Sequence, residues 1–307
     1  MAVKLGGIIL KNPVIACSGT FASGLEYNEF YNISILGAVT TKSMSLAPMQ
    51  GNPPPRICET ASGMLNSIGL QNEGIDYFLE NELPRMVEAG AAIIVSIFGK
   101  DADEFTKIAS KIKTYEKEIL AVELNLSCPN VEKGGMAFCA LPDEINRIVS
   151  LTRNILKTGI IAKLSSNFNN IPEAASKAAK GGADAVSIIN TIAATAFDIN
   201  TFKPRLGNIT GGLSGPAIKP IALLKVYELA KENIIPVIGM GGIMNWEDAI
   251  EFIIAGACAI GIGTANFINP DCGRKIIDGI NDYMRRRNIN DINILRGIVF
   301  KNSGAII

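Results

Sequence analysis

The 307-residue chain contains no histidine, a single tryptophan and no net charge, since 29 Lys and Arg are matched by 29 Asp and Glu. Without histidine there is no Ser/His/Asp triad, no histidine zinc site and no imidazole general base, so proton transfer falls to Cys, Lys, Asp, Glu or Tyr. Without net charge there is no bulk attraction to nucleic acid or to an anionic membrane, and partners have to be recognised locally. The six cysteines, at 17, 58, 128, 139, 258 and 272, form no CxxC pair. That excludes zinc-ribbon and the usual iron–sulfur spacings, so no metal site is expected, and the thiols read as reduced. No apolar run approaches the roughly 20 residues that span a bilayer. The N-terminal stretch meets Asn12 and Pro13 too soon for a secretory signal. A soluble, cytoplasmic protein is the expectation.

What is present is a large apolar fraction, 48%, with 30 glycines and 14 prolines. A chain of this length buries about three quarters of its unfolded surface and needs no staple. Short β-rich apolar runs recur: Pro13 to Cys17, Ala38 to Lys42, Ile93 to Phe98, Ala121 to Leu126, Ile160 to Leu164, Ala185 to Ile189, Pro236 to Gly239 and Ala259 to Ile262. Amphipathic stretches lie between them, at Ile75 to Glu88, Ala102 to Glu118, Asp143 to Lys157, Glu173 to Lys180, Ile218 to Glu232 and Trp246 to Ala255. Continuously apolar strands alternating with helices imply a parallel sheet, and eight such runs fit a closed (β/α)8 TIM barrel better than an open sheet. The segment VKLGGIIL predicts an N-terminal β-hairpin turning at Gly6 and Gly7 and plugging the N-terminal end of the barrel. With no linker or repeat, residues 1–307 read as one domain. Two connections are long, Ser43 to Gly74 and Thr191 to Pro216. As loops after strands, they are expected to cover a ligand at the C-terminal face.

Several residues at that face could carry chemistry. The fourth strand runs into ELNLSCPN, which sets Cys128 among asparagines at a strand end. A lone cysteine is commonly a buried structural thiol, but in a chain without histidine this one is equally a candidate base or nucleophile. Lys163 lies inside an apolar strand, where an idle charge is costly, so it should meet an anion, a dipole or a carbonyl carbon. A Schiff-base lysine and a strand-end salt bridge are the alternatives. Lys42 poses the same question. Gly241, Gly242, Gly263 and Thr264 follow the last two strands, where barrels often cradle a phosphate, and Gly215 precedes a helix nearby. Asn66, Asn125, Asn130 and the Asn190–Thr191 pair are turn residues if scattered. If convergent, they suit a planar ligand with alternating donors and acceptors.

Read together, KNPVIACSGTF, GNPPPR, ETASGMLNSIGLQN, ELNLSCPN, AKLS, INT, NITGGLSGPAIKP, GMGGI and GTANF resemble the class 1 dihydroorotate dehydrogenases, FMN enzymes of pyrimidine synthesis. SCPNVEKGG and NITGGLSGPAIKP are similar to class 1B, whose catalytic subunit passes electrons to NAD through a partner subunit carrying FAD and a 2Fe-2S cluster, as a heterotetramer of two of each chain. TKSMS is closer to the fumarate-using class 1A. The resemblance implies a homodimer of this chain, dihydroorotate and orotate as substrate and product, and Cys128 as general base at C5. It implies FMN contacts from Ser18, Lys42, Ser43, Asn125, Lys163, Ile189, Gly215, Gly241, Gly242, Gly263 and Thr264. Ser96 stands where the family usually places an Asn beside the flavin. Implied substrate contacts are Lys42, Asn66, Ser67, Ile68, Gly69, Leu70, Asn125, Asn130, Asn190 and Thr191. The competing readings are a related FMN dihydropyrimidine oxidoreductase, a Schiff-base aldolase using Lys163, and a flavin-binding scaffold without catalysis.

Overall fold

A computed structural model describes residues 1–126, 129–130, 136–137, 141–165 and 170–302. Eight parallel strands close a barrel: β1 Val14–Ala16, β2 Ala38–Thr40, β3 Ile93–Ile97, β4 Ala121–Asn125, β5 Gly159–Lys163, β6 Ala185–Ile188, β7 Val237–Met240 and β8 Ala259–Ile262. Each pairs with its neighbours in sequence, and β8 closes on β1 through Ile260 against Val14. The expected (β/α)8 architecture is therefore present, with every anticipated strand within a residue or two of its predicted place. Strands such as β3 and β8 are buried on both faces, which is why their sequences show no alternation.

The outer layer departs from the simplest pattern in three places. After β1 the chain makes only short 3-10 turns, Glu26–Glu29 and Ile33–Ile35. The helical stretch from Ile75 to Glu88 contains a π turn at Phe78–Glu82. After β8 a short helix, Ala265–Ile268, precedes a long one, Cys272–Arg286, which the sequence reading did not single out. Its buried face, Ile276, Ile277, Ile280 and Met284, has helical spacing, and Tyr283 meets Trp246 at a ring separation of 5.6 Å.

At the N-terminal end, strands Val3–Leu5 and Ile8–Leu10 form the expected hairpin. Asp184, just before β6, ties it down: its carboxylate accepts from the Gly7 and Ile160 amides and from Arg153 Nη2 at 2.6 Å. At the opposite end the two long insertions pair with each other. Ile57–Thr60, Gly63–Asn66, Gly211–Ser214 and Ile192–Ala194 make a four-stranded antiparallel sheet that roofs the mouth. Gly63 is required there, because a Cβ at that position would come within 2.0 Å of the Ser214 carbonyl oxygen. Cys58, Leu65 and Leu206 form a small apolar cluster under this roof, separate from the barrel core. Among the described residues no helix is long and apolar enough to cross a membrane.

Candidate active site

Between the barrel mouth and its roof lies a cavity of about 580 Å³. It gathers residues from β1 (Cys17, Ser18), β2 (Lys42, Ser43), β4 (Asn125), β5 (Lys163) and the ends of β6 to β8. Ser18, Lys42, Ser43, Asn125, Lys163, Ile189, Gly215, Gly241, Gly242, Gly263 and Thr264 all line it, as do Asn66 to Leu70, Asn190 and Thr191. Two segments far apart in sequence are thus convergent: Asn66 Nδ2 donates to the Gly212 carbonyl at 3.2 Å across the roof. Cys128 lies outside the described residues, and Asn130 is described only in its backbone, which pairs with Met136.

Ser96 is corrected. It is fully buried in β3 and does not line the cavity. Its hydroxyl is one layer below, bonded to Ser43 Oγ at 2.9 Å, so it reaches the cavity only through Ser43.

That floor is a connected polar network. Ser43 Oγ also meets Ser18 Oγ at 3.3 Å and accepts from Asn125 Nδ2 at 3.0 Å. Beneath them Glu123, 3% exposed, accepts from Ser96 Oγ at 3.2 Å and from Ser187 Oγ at 2.9 Å. Lys163 Nζ lies 3.8 Å from Glu123 Oε1. The salt-bridge alternative for Lys163 is thereby realised, with the carboxylate behind it and the cavity in front. Glu123 stood inside the ELNLSCPN motif but was not singled out, because a polar residue in a strand of this kind resembles a strand-end group until the barrel interior is known. Cys17, next to this pair, has its thiol pushed up to about 12 by burial; Lys163 pulls it down and Glu123 adds to the rise. It is a neutral wall residue at physiological pH.

Toward the far end, the cavity wall is backbone. Gly242 has φ +76°, and a Cβ there would lie 2.8 Å from the Lys219 nitrogen and 2.9 Å from the Gly215 carbonyl. Glycine is needed for both the angle and the approach. Among the described residues, the backbone N–H groups of Gly242, Gly263 and Thr264 donate to no protein acceptor. A Cβ on Gly263 would meet nothing closer than 4.0 Å. Unmet donors around open space form a nest for an anionic group such as a phosphate. Thr264 Oγ1, bonded to Ser214 Oγ at 2.8 Å, ties this wall to the roof.

The roof side carries amides. Asn52 Nδ2 donates to the Ser67 carbonyl at 3.1 Å and to its hydroxyl at 2.9 Å, and Asn208 Nδ2 reaches the same hydroxyl at 3.1 Å. Asn52 and Asn208 both line the cavity and sit in the GNPPPR and NITGG motifs, yet neither was anticipated. The Asn190 side-chain oxygen accepts from the Thr191 amide at 2.7 Å, which orients this pair at the end of β6. A phosphate nest at one end, a lysine over a sealed carboxylate at the floor and an amide-rich wall under the roof can hold a phosphorylated planar cofactor beside a small polar ring.

Comparison with known proteins agrees with this geometry. The dihydroorotate dehydrogenase family profile matches residues 1–284. Over 297 residues the chain is 50% identical to a protein of Thermoanaerobacter sp. (strain X514) named dihydroorotate dehydrogenase B (NAD(+)), catalytic subunit, covering 97% of this chain and 98% of that one. It is 46% identical, with the same coverage, to a protein of Bacteroides fragilis that carries the same name. A crystal structure of DHODH from Eimeria tenella in complex with ferulenol matches with a TM-score of 0.78 at 21% identity, over 97% of this chain and 88% of that chain, a likeness of fold. The chain belongs to the dihydroorotate dehydrogenase family.

Proposed function

We propose that this chain oxidises dihydroorotate to orotate with FMN, as the catalytic subunit of an NAD-linked enzyme. The observation that carries the reading is the joint presence, in one roofed cavity, of the glycine-lined nest of unmet N–H groups and the Lys163 ammonium. These residues suit FMN: the N–H groups of Gly242, Gly263 and Thr264 would hold the phosphate, while Lys163, Lys42, Ser18, Ser43 and Asn125 would face the ring. Bound FMN supplies a two-electron acceptor for the hydride leaving C6 of the substrate.

The chain's own residues do the rest. Asn66 to Leu70, Asn125, Asn130, Asn190 and Thr191 hold the planar substrate by amide and backbone groups, fixing one ring face toward the base and the other toward the cofactor. Cys128, three residues beyond β4 in the sequence, takes the proton from C5. An ordinary thiol is only a few per cent ionised near neutrality, so turnover rises toward alkaline pH. The roof sheet excludes water from the reacting atoms.

The same reading takes residues 1–307 as one FMN-binding barrel domain. It places the protein in the cytoplasm as a homodimer core joined to a subunit with FAD and a 2Fe-2S cluster, two of each chain. Support comes from the relatives, which are named catalytic subunits of NAD(+) enzymes. Fumarate as oxidant is the second reading, on the strength of TKSMS. Purified chain should be yellow, and anaerobic dihydroorotate should bleach it. Persistent colour with dihydroorotate, or a colourless protein, would overturn the proposal. Reoxidation by NAD only with a co-purifying second subunit supports the NAD branch, whereas direct reoxidation by fumarate overturns it.

A further inference from the structure

Glu123 is a buried carboxylate outside the cavity, and the proposed chemistry gives it no role. It projects from the middle of β4 into the barrel, where Ser96 of β3 and Ser187 of β6 each donate one hydroxyl to it. Its only ionic neighbour among the described residues is Lys163, on the adjacent strand β5, which does line the cavity. At 3.8 Å the contact is an ion pair longer than a hydrogen bond, so it answers the ammonium's charge without committing one of its N–H groups. The nearby thiol of Cys17 stays neutral at physiological pH and adds no charge of its own. The field that Lys163 projects into the cavity is therefore set by how completely Glu123 offsets it, and that in turn by the two serine hydroxyls that disperse the carboxylate's charge.

We propose that Glu123 is a positioning residue that tunes the reduction potential of the flavin through Lys163, with Ser187 as its trim. The inference rests on FMN binding as proposed above. A reduced flavin carries added negative charge, so it is stabilised by any gain in net positive charge at the floor. Removing the carboxylate charge should favour reduction. Removing a hydroxyl donor from the carboxylate should do the opposite, because a less dispersed negative charge offsets Lys163 more fully. A purely structural role would move both variants in the same direction.

The test is the two-electron midpoint potential of protein-bound FMN, read spectroscopically against a reference dye, for the wild type, Glu123→Gln and Ser187→Ala. Glu123→Gln should retain FMN and raise the reduced-to-oxidised ratio at fixed ambient potential at least ~10-fold, which is ~30 mV for a two-electron couple. Ser187→Ala should shift the potential the other way. Equal potentials in all three proteins, or shifts of one sign in both variants, would overturn the inference. If Glu123→Gln does not fold, Ser187→Ala decides alone: a negative shift supports the proposal and no shift sinks it. A wild-type chain that binds no FMN overturns the underlying reading instead, and is distinguished by that first measurement.

Discussion

Replacing Lys163 by alanine should destabilise the cofactor-free protein severely, and the structure gives the size of the loss. The ammonium and the Glu123 carboxylate are 3.8 Å apart, with side chains 8% and 4% exposed. At an effective dielectric of about 20 the pair interacts by about 4 kcal/mol, and stranding one member of a buried pair costs about 3–5 kcal/mol. Hydroxyls of Ser96 and Ser187 still solvate the stranded carboxylate, which places the expected loss at about 3–4 kcal/mol. Urea unfolding of FMN-free protein, followed by circular dichroism, measures it as a lower midpoint with unchanged slope. A double variant, Lys163→Ala with Glu123→Gln, removes both charges while keeping a partner for the serines. It should recover most of the loss, giving a coupling of about 2 kcal/mol or more in the mutant cycle. A Lys163→Ala loss below about 1 kcal/mol, or strict additivity in the cycle, would show that the two groups do not sustain each other, and the account of the floor would fail.

Cys128→Ser should keep bound FMN yet slow its reduction by dihydroorotate about 10²–10⁴-fold at neutral pH, the usual worth of a positioned base, with unchanged stopped-flow rates as the contrary result. Asp184→Ala should free the N-terminal hairpin, since one carboxylate holds Gly7, Ile160 and Arg153. A loss of about 2–3 kcal/mol and early proteolytic cutting near Gly6 are expected, and wild-type resistance to protease would argue against it. Alkaline stability should fall for a defined reason. Burial raises Cys17 from 9.0 to about 12, so stability is intact below the ordinary thiol value and declines as pH rises from there toward about 12. The full decline is about 4 kcal/mol from this residue, and Cys17→Ala should flatten it in pH-dependent unfolding.

Much of the barrel was legible because its strands are buried on both faces. Runs such as Ile93 to Phe98 and Ala259 to Ile262 are dominated by β-branched and small residues without polar alternation, a pattern that neither a surface helix nor a half-exposed strand would use. The cavity-lining residues were legible through motif resemblance, and their convergence followed from the rule that loops after barrel strands share one face. Three features could not be read. The connection after β1 shows no helical period to miss, because its 3-10 turns are held by local bonds such as Ser34 N to Asn32 Oδ1. Glu123 is one acidic residue in an apolar strand, and only closure of the barrel places Ser96, Ser187 and Lys163 around it. The roof depends on pairing between Asn66 and Gly212, 146 residues apart, and register over such a distance is decided by the scaffold and not by local pattern.

That long separation has an energetic consequence. The entropy of bringing the two insertions together is lost once, when the eight strands close, because loop closure grows only logarithmically with length. Thereafter the roof's ladder, the cluster of Cys58, Leu65 and Leu206, and the contacts of Ile192 and Leu213 with the main hydrophobic interior hold it in place. The cavity is thus walled by two insertions that only a finished strand cylinder can bring together, so the site comes into being with the closed barrel and not before it.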